Sequence, residues 1–142
     1  MNALQKHDLA TLLLRLSLGA VLLAHSVYLK LVIFTLPGTA AFFSGIGLPS
    51  WLAYVVFAGE ATAGIAILLG IHTRWFALAM IPVLLGATWA HAGNGWLFTN
   101  EGGGWEYPLL LSALAGVQSL LGDGRYSVLN LRPSVEVMRP ST

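Results

Sequence analysis

Six ionisable side chains stand where the surrounding sequence is almost wholly apolar: Arg15, His25, Lys30, Glu60, His91 and Glu106. Imidazole and carboxylate can each hold and release a proton, so set in an apolar wall they can exchange protons with a reducible carrier. On that chemistry Glu60, His91 and Glu106 read as catalytic, and all six together read as the ligand-binding set. Two histidines with one or two carboxylates also match Zn, Fe or Mn by ligand type. Their spacing follows no local metal motif, so no metal ligand is assigned. The chain has no cysteine, which excludes disulfides, thiol relays and Cys-ligated clusters. Any redox chemistry therefore needs a bound or diffusible carrier, or a partner that supplies electrons.

Each of these residues also has a plainer reading. A charge at the centre of a bilayer costs about 2.5–3.5 kcal/mol on insertion scales, so it needs a partner or a role. Arg15 falls about 9 Å along the first apolar segment and Glu60 about 16 Å along the second, counted from the same side. A buried Arg15–Glu60 ion pair is expected there, locking two helices together. Lys30 is expected to snorkel to the interface. His25 and His91 also fit as interfacial residues facing water.

The elements that carry these groups follow from composition. Hydrophobic residues make up 56% of the 142 and charged residues only 9%, against about 25% charged in soluble domains. A soluble protein could not clothe its surface with so few charges, whereas a lipid-facing helix needs none. A span takes about 20 residues, and four segments meet or approach that length: 9–29, 51–71, 75–92 and 105–121. The fold class expected is all-α, a transmembrane four-helix bundle forming one domain over residues 1–130, with a tail over 131–142. Pro82 should kink the third helix, while Pro108 sits in the first turn of the fourth, where a missing N–H matters least. The stretch 36–49, with Phe42-Phe43, reads as a loop with a short interfacial helix. Gly59-x-x-x-Ala63 and Ser112-x-x-x-Gly116 are small-residue patterns that permit close helix approach. Lys6 before an apolar run resembles a signal peptide, but Arg15 interrupts the run, and a retained first helix is expected.

Basic residues orient the bundle. Lys6, Arg74, Arg125, Arg132 and Arg139 fall at ends that four crossings place on one side, and only Lys30 falls at the other. The positive-inside rule then puts both termini in the cytoplasm, N-in/C-in. Aromatic residues mark the same borders, Trp51, Trp89, Trp96, Trp105 and Tyr107 outside and Trp75 and Tyr126 inside.

Arg15-Leu16-Ser17-Leu18-Gly19 followed by His25 and Lys30 resembles the first helix of the DoxX-like family of inner-membrane proteins, with Ser26 where the family often has glycine. Glu60-Ala61-Thr62-Ala63-Gly64, leading to Leu68-Leu69-Gly70-Ile71-His72-Thr73-Arg74, is similar to the second helix and its turn. His91-Ala92-Gly93-Asn94-Gly95 and Gly104-Trp105-Glu106-Tyr107-Pro108-Leu109 resemble the outer loop and fourth helix, and Gly122-Asp123-Gly124-Arg125-Tyr126-Ser127 the closing turn. The resemblance implies a multi-pass protein of the bacterial inner membrane, in a family with members linked to quinone-dependent sulfur oxidation or to redox and detoxification complexes.

The expected function is accordingly a membrane subunit of a quinone-linked oxidoreductase or detoxification system. It would bind a quinone or small apolar ligand at the Arg/Glu/His site and carry no covalent cofactor. The expected partners are the bilayer and an electron-donating subunit, with room for a homo-oligomer and no nucleic acid, since no basic run marks one. A non-catalytic scaffold is the alternative, and a metal-handling or transport protein a lower one.

Overall fold

The computed structural model describes residues 1–131, which are all-α, with no strand among them. The final stretch expected as a cytoplasmic tail lies, apart from Leu131, outside the described residues. α1 spans Ala3–Leu23 and begins earlier than hydropathy suggests, because Asn2 and Gln5 form a reciprocal capping box. Such a box satisfies two N–H groups that a helix start leaves bare.

At Ala24 the same helix changes its winding and continues to Ile33 as a π-helix. Two side chains bond back to carbonyls in the turn that precedes this junction. His25 Nδ1 lies 3.1 Å from the Val21 carbonyl, and the buried Ser26 hydroxyl donates to the Leu22 carbonyl at 2.8 Å.

α2 (Leu36–Gly45) is the short helix expected between the first two spans, capped by the Thr35 hydroxyl on the Gly38 N–H. α3 covers Trp51–Leu69 and stops at Gly70, whose φ of 73° lets the Ile71 N–H return to the Ala66 carbonyl at 2.8 Å. α4 covers Thr73–Ala90, and its first N–H donates to Asp123 Oδ1 at 2.6 Å. A turn far along the chain thus caps this helix. A 3₁₀ turn (Ala92–Asn94) leads into the outer loop, α5 covers Glu106–Leu121 with Pro108 in its first turn, and α6 is Val128–Leu131.

Helix α1 packs on α3, α3 on α4, α4 on α5 and α5 back on α1, closing a ring. Its core holds Leu18, Leu22, Ala63, Ile67, Met80, Leu84, Leu111 and Ala115. The tightest crossing uses Gly19 and Gly64: a methyl group on Gly19 would fall 2.9 Å from the Gly64 carbonyl oxygen. The two small-residue patterns expected to do this do not. Gly59 has only the Met80 methyl group at 3.7 Å, and Gly116 has open space beside it.

Among the described residues, three helical stretches are long and apolar enough to cross a membrane: Ala3–Ile33, Trp51–Leu69 and Thr73–Ala90. Their outer faces expose Leu13, Val55, Ile65, Leu78 and Leu85, side chains that hydrocarbon accepts and water does not. The chain is a multi-pass membrane protein. α5, with 16 residues, reaches about 24 Å, short of a hydrocarbon core of about 30 Å.

Candidate functional site

π winding decides what the first helix presents. Residues five apart in an α-helix point about 140° apart, whereas the wider turn of a π-helix brings them to within about 50° of one another. His25 and Lys30 have that separation, and both face one cavity.

The cavity measures about 1410 Å³ and lies between the π-helical stretch, α2, α3, α4 and the start of α5. Four of the six residues picked out from sequence line it: His25, Lys30, Glu60 and His91. The rest of its wall is largely apolar, with Leu22, Leu84 and Leu111 continuous with the core and Phe34, Phe42 and Phe43 facing them from the α2 side.

The expected Arg15–Glu60 pair does not form. Glu60, buried in α3, meets Lys30 instead, with Lys30 Nζ 2.6 Å from Oε2. Lys30 therefore turns inward rather than snorkelling, because its flexible stem can reach a carboxylate that would otherwise be buried and uncompensated. No described residue donates to the other oxygen, Oε1. Arg15, only 3% exposed, points the opposite way. Its two terminal nitrogens donate to the carbonyls of Asp123 at 2.5 Å and Tyr126 at 2.7 Å. Those carbonyls are turned inward by a turn in which Gly122 and Gly124 both take a φ of 69°. Gly70 leaves the space, since a side chain there would collide with the guanidinium. Arg15 thus ties α1 to the closing turn and lies outside the cavity.

Glu106 is also outside it. Its carboxylate faces a separate surface hollow beside Trp96 and Leu110, where Oε2 accepts from the Phe98 N–H at 3.4 Å. Tyr107 takes the inward position. Consecutive helix residues point about 100° apart, and here the aromatic ring lines the cavity while the carboxylate faces the other hollow.

Stacking and backbone contacts fix both imidazoles. His25 stacks on Tyr107 with centroids 5.9 Å apart, and His91 stacks on Phe42 at 6.4 Å. Val21's carbonyl can only accept, so His25 Nδ1 carries the hydrogen. His91 Nδ1 donates likewise to the Gly102 carbonyl at 3.0 Å. Asn94, 3.4 Å away, spends its amide hydrogens on the carbonyls of Gly102 and Gly103. Neither Nε2 has a partner among the described residues. No three His, Asp or Glu side chains among these residues gather closely enough to hold a metal ion, so the ligand types noted in sequence do not converge.

Tyr107 and Phe42 were legible only as interface markers, and Asp123 only as part of a turn. Their roles depend on which way each helix faces.

The DoxX family model matches residues 10–93 of the chain, a stretch that contains His25, Lys30, Glu60 and His91 and ends before α5. Over 80 residues the chain is 35% identical to a Bacillus subtilis protein named "Putative oxidoreductase CatD". That match covers 56% of this chain and 58% of the relative, so it spans little more than half of either. No solved structure matches the chain.

Proposed function

The chain belongs to the DoxX family, and from that membership we propose that it is a carrier-binding membrane protein of a redox or detoxification system. The carrier is a quinone or a similarly small, apolar redox molecule, held in the cavity between the π-helical stretch and α3–α5. The observation that carries this reading is the cavity's composition: a large apolar volume with Lys30–Glu60 and two pinned imidazoles on its wall. Small-molecule sites are typically about 300–1,000 Å³, apolar, with a few convergent polar groups. The larger volume here leaves space for part of an apolar tail beside a ring.

A quinone would supply the two-electron chemistry that the twenty amino acids lack. The chain's own residues would bind and orient the ring and handle protons. The stacked faces of Tyr107 and Phe42 narrow the space around each imidazole, so His25 and His91 meet the ring edge rather than its face. Glu60, buried and balanced by Lys30, holds a proton-accepting oxygen within the bundle, and His91 is placed nearer the outer loop. Protons can thereby be held at Glu60 Oε1 and at either Nε2. Electrons pass between the carrier and a partner, and the relative's printed name, an oxidoreductase, supports redox chemistry.

α5 completes a fourth crossing in this reading, with bilayer thinning or interfacial Trp105 and Tyr107 covering its shortfall. Both termini then lie in the cytoplasm and the cavity opens toward the outer leaflet of an inner membrane.

The test is extraction with native lipids retained. The purified protein should carry bound quinone or hydroquinone, and an added short-chain carrier in one of these two forms should raise its melting temperature. Absence of both overturns the assignment.

A further inference from the structure

The cavity's hydrogen-bonding groups are not symmetric between the two redox forms of such a carrier. His25 and His91 each have Nδ1 committed as a donor to a backbone carbonyl. Each neutral ring therefore offers its Nε2 only as an acceptor. Glu60 adds a third acceptor in Oε1, since Oε2 is taken by Lys30. The donors facing them are the Lys30 ammonium, with two N–H groups left, the Tyr107 phenol and the Trp89 indole at the exposed rim. Thr39, the hydroxyl contributed by α2, already donates to the Thr35 carbonyl at 2.9 Å.

A quinone ring presents only carbonyl oxygens, which cannot partner an acceptor. With a quinone bound, both imidazole lone pairs would lose water and gain nothing. A hydroquinone presents two hydroxyls, each of which donates once and accepts as well. It can serve an imidazole or the carboxylate and still accept from Lys30. Leaving a desolvated polar group unpartnered is the dominant cost in such sites.

We propose that the site selects the dihydroxy, reduced form of an apolar aromatic ligand over the oxidised form, through the two imidazole Nε2 atoms and Glu60 Oε1. The inference rests on reading this cavity as the carrier site. It adds that the protein receives a hydroxylated ring rather than a quinone.

Three probes with the same ring and tail separate the possibilities: decyl-hydroquinone, its bis-methyl ether, and decyl-quinone. Each is titrated anaerobically into the full chain in lipid nanodiscs, with binding followed by tryptophan fluorescence and by melting temperature. The hydroquinone should bind at least about tenfold more tightly than the ether or the quinone, the scale set by one or two unmade hydrogen bonds. His91→Phe keeps the stack on Phe42 and should cut that preference to about threefold or less. His25→Phe is a second variant of the same kind. The wild-type comparison needs no substitution, so a poorly folded variant does not blunt the test. Equal or tighter binding of the ether or quinone overturns the preference and leaves the carrier site standing. Binding of none of the three overturns the carrier site and the preference together.

Discussion

Lys30 and Glu60 are joined at 2.6 Å across the cavity wall, the lysine from a π-wound stretch and the glutamate from α3. Only one carboxylate oxygen is used, so the pair holds the two helices together and keeps an acceptor facing the ligand space.

Breaking half of this pair should cost more than removing all of it. Lys30→Met leaves a carboxylate without its cation and Glu60→Leu leaves an ammonium without its anion, each costing about 1–3 kcal/mol where a fully buried pair costs 3–5. The double variant Lys30→Met/Glu60→Leu should recover most of that loss. Melting temperatures in a double-mutant cycle measure the coupling, and strictly additive losses would show that the pair carries no energy of its own.

Arg15 should matter for folding and not for ligand. Arg15→Met strips donors from the carbonyls of Asp123 and Tyr126, with an expected loss of about 1–3 kcal/mol. Arg15→Lys should restore little, because one ammonium on a shorter reach cannot fork onto both carbonyls. Carrier affinity of whatever fraction stays folded should be unchanged. A Lys variant as stable as wild type would contradict the forked geometry.

The α1–α3 crossing predicts a contrast between glycines. Gly64→Val forces a side chain against Leu23 and the Gly19 carbonyl, an overpacking cost of about 1–3 kcal/mol. Gly116→Ala meets nothing within 4 Å and should be neutral or stabilising by up to about 1 kcal/mol, as expected for a helix interior. Thermal unfolding in one detergent ranks the two. Equal effects would place the close crossing elsewhere.

The π-helical winding should depend on Ser26. Ser26→Ala removes the hydroxyl that serves the Leu22 carbonyl, at about 1 kcal/mol. Hydrogen exchange should then quicken over residues 24–33 before it changes elsewhere. Carrier affinity should fall as well, since His25 and Lys30 share a face only in that winding. Unaltered exchange and affinity would mean that the backbone holds the winding alone.

Much of the fold was written in local composition. Apolar runs place three of the four expected spans, and the Leu36–Gly45 helix falls where a short interfacial helix was expected; α3 stops at Leu69, before the expected end at 71, because Gly70 takes a left-handed turn. The cost of charge in lipid, which depends on residue type and depth alone, singled out six residues, of which His25, Lys30, Glu60 and His91 line the cavity and Arg15 and Glu106 do not. Partnership is another matter, since it depends on the angle at which each side chain leaves its helix. A depth count could pair Arg15 with Glu60, but the closing turn brings two carbonyls to the arginine and π winding brings Lys30 to the glutamate. The same few tens of degrees turn Tyr107 into the cavity and Glu106 away from it. Rotation about a helix axis is set by packing between distant segments, so it was decided only when α1, α3, α4 and α5 closed on one another.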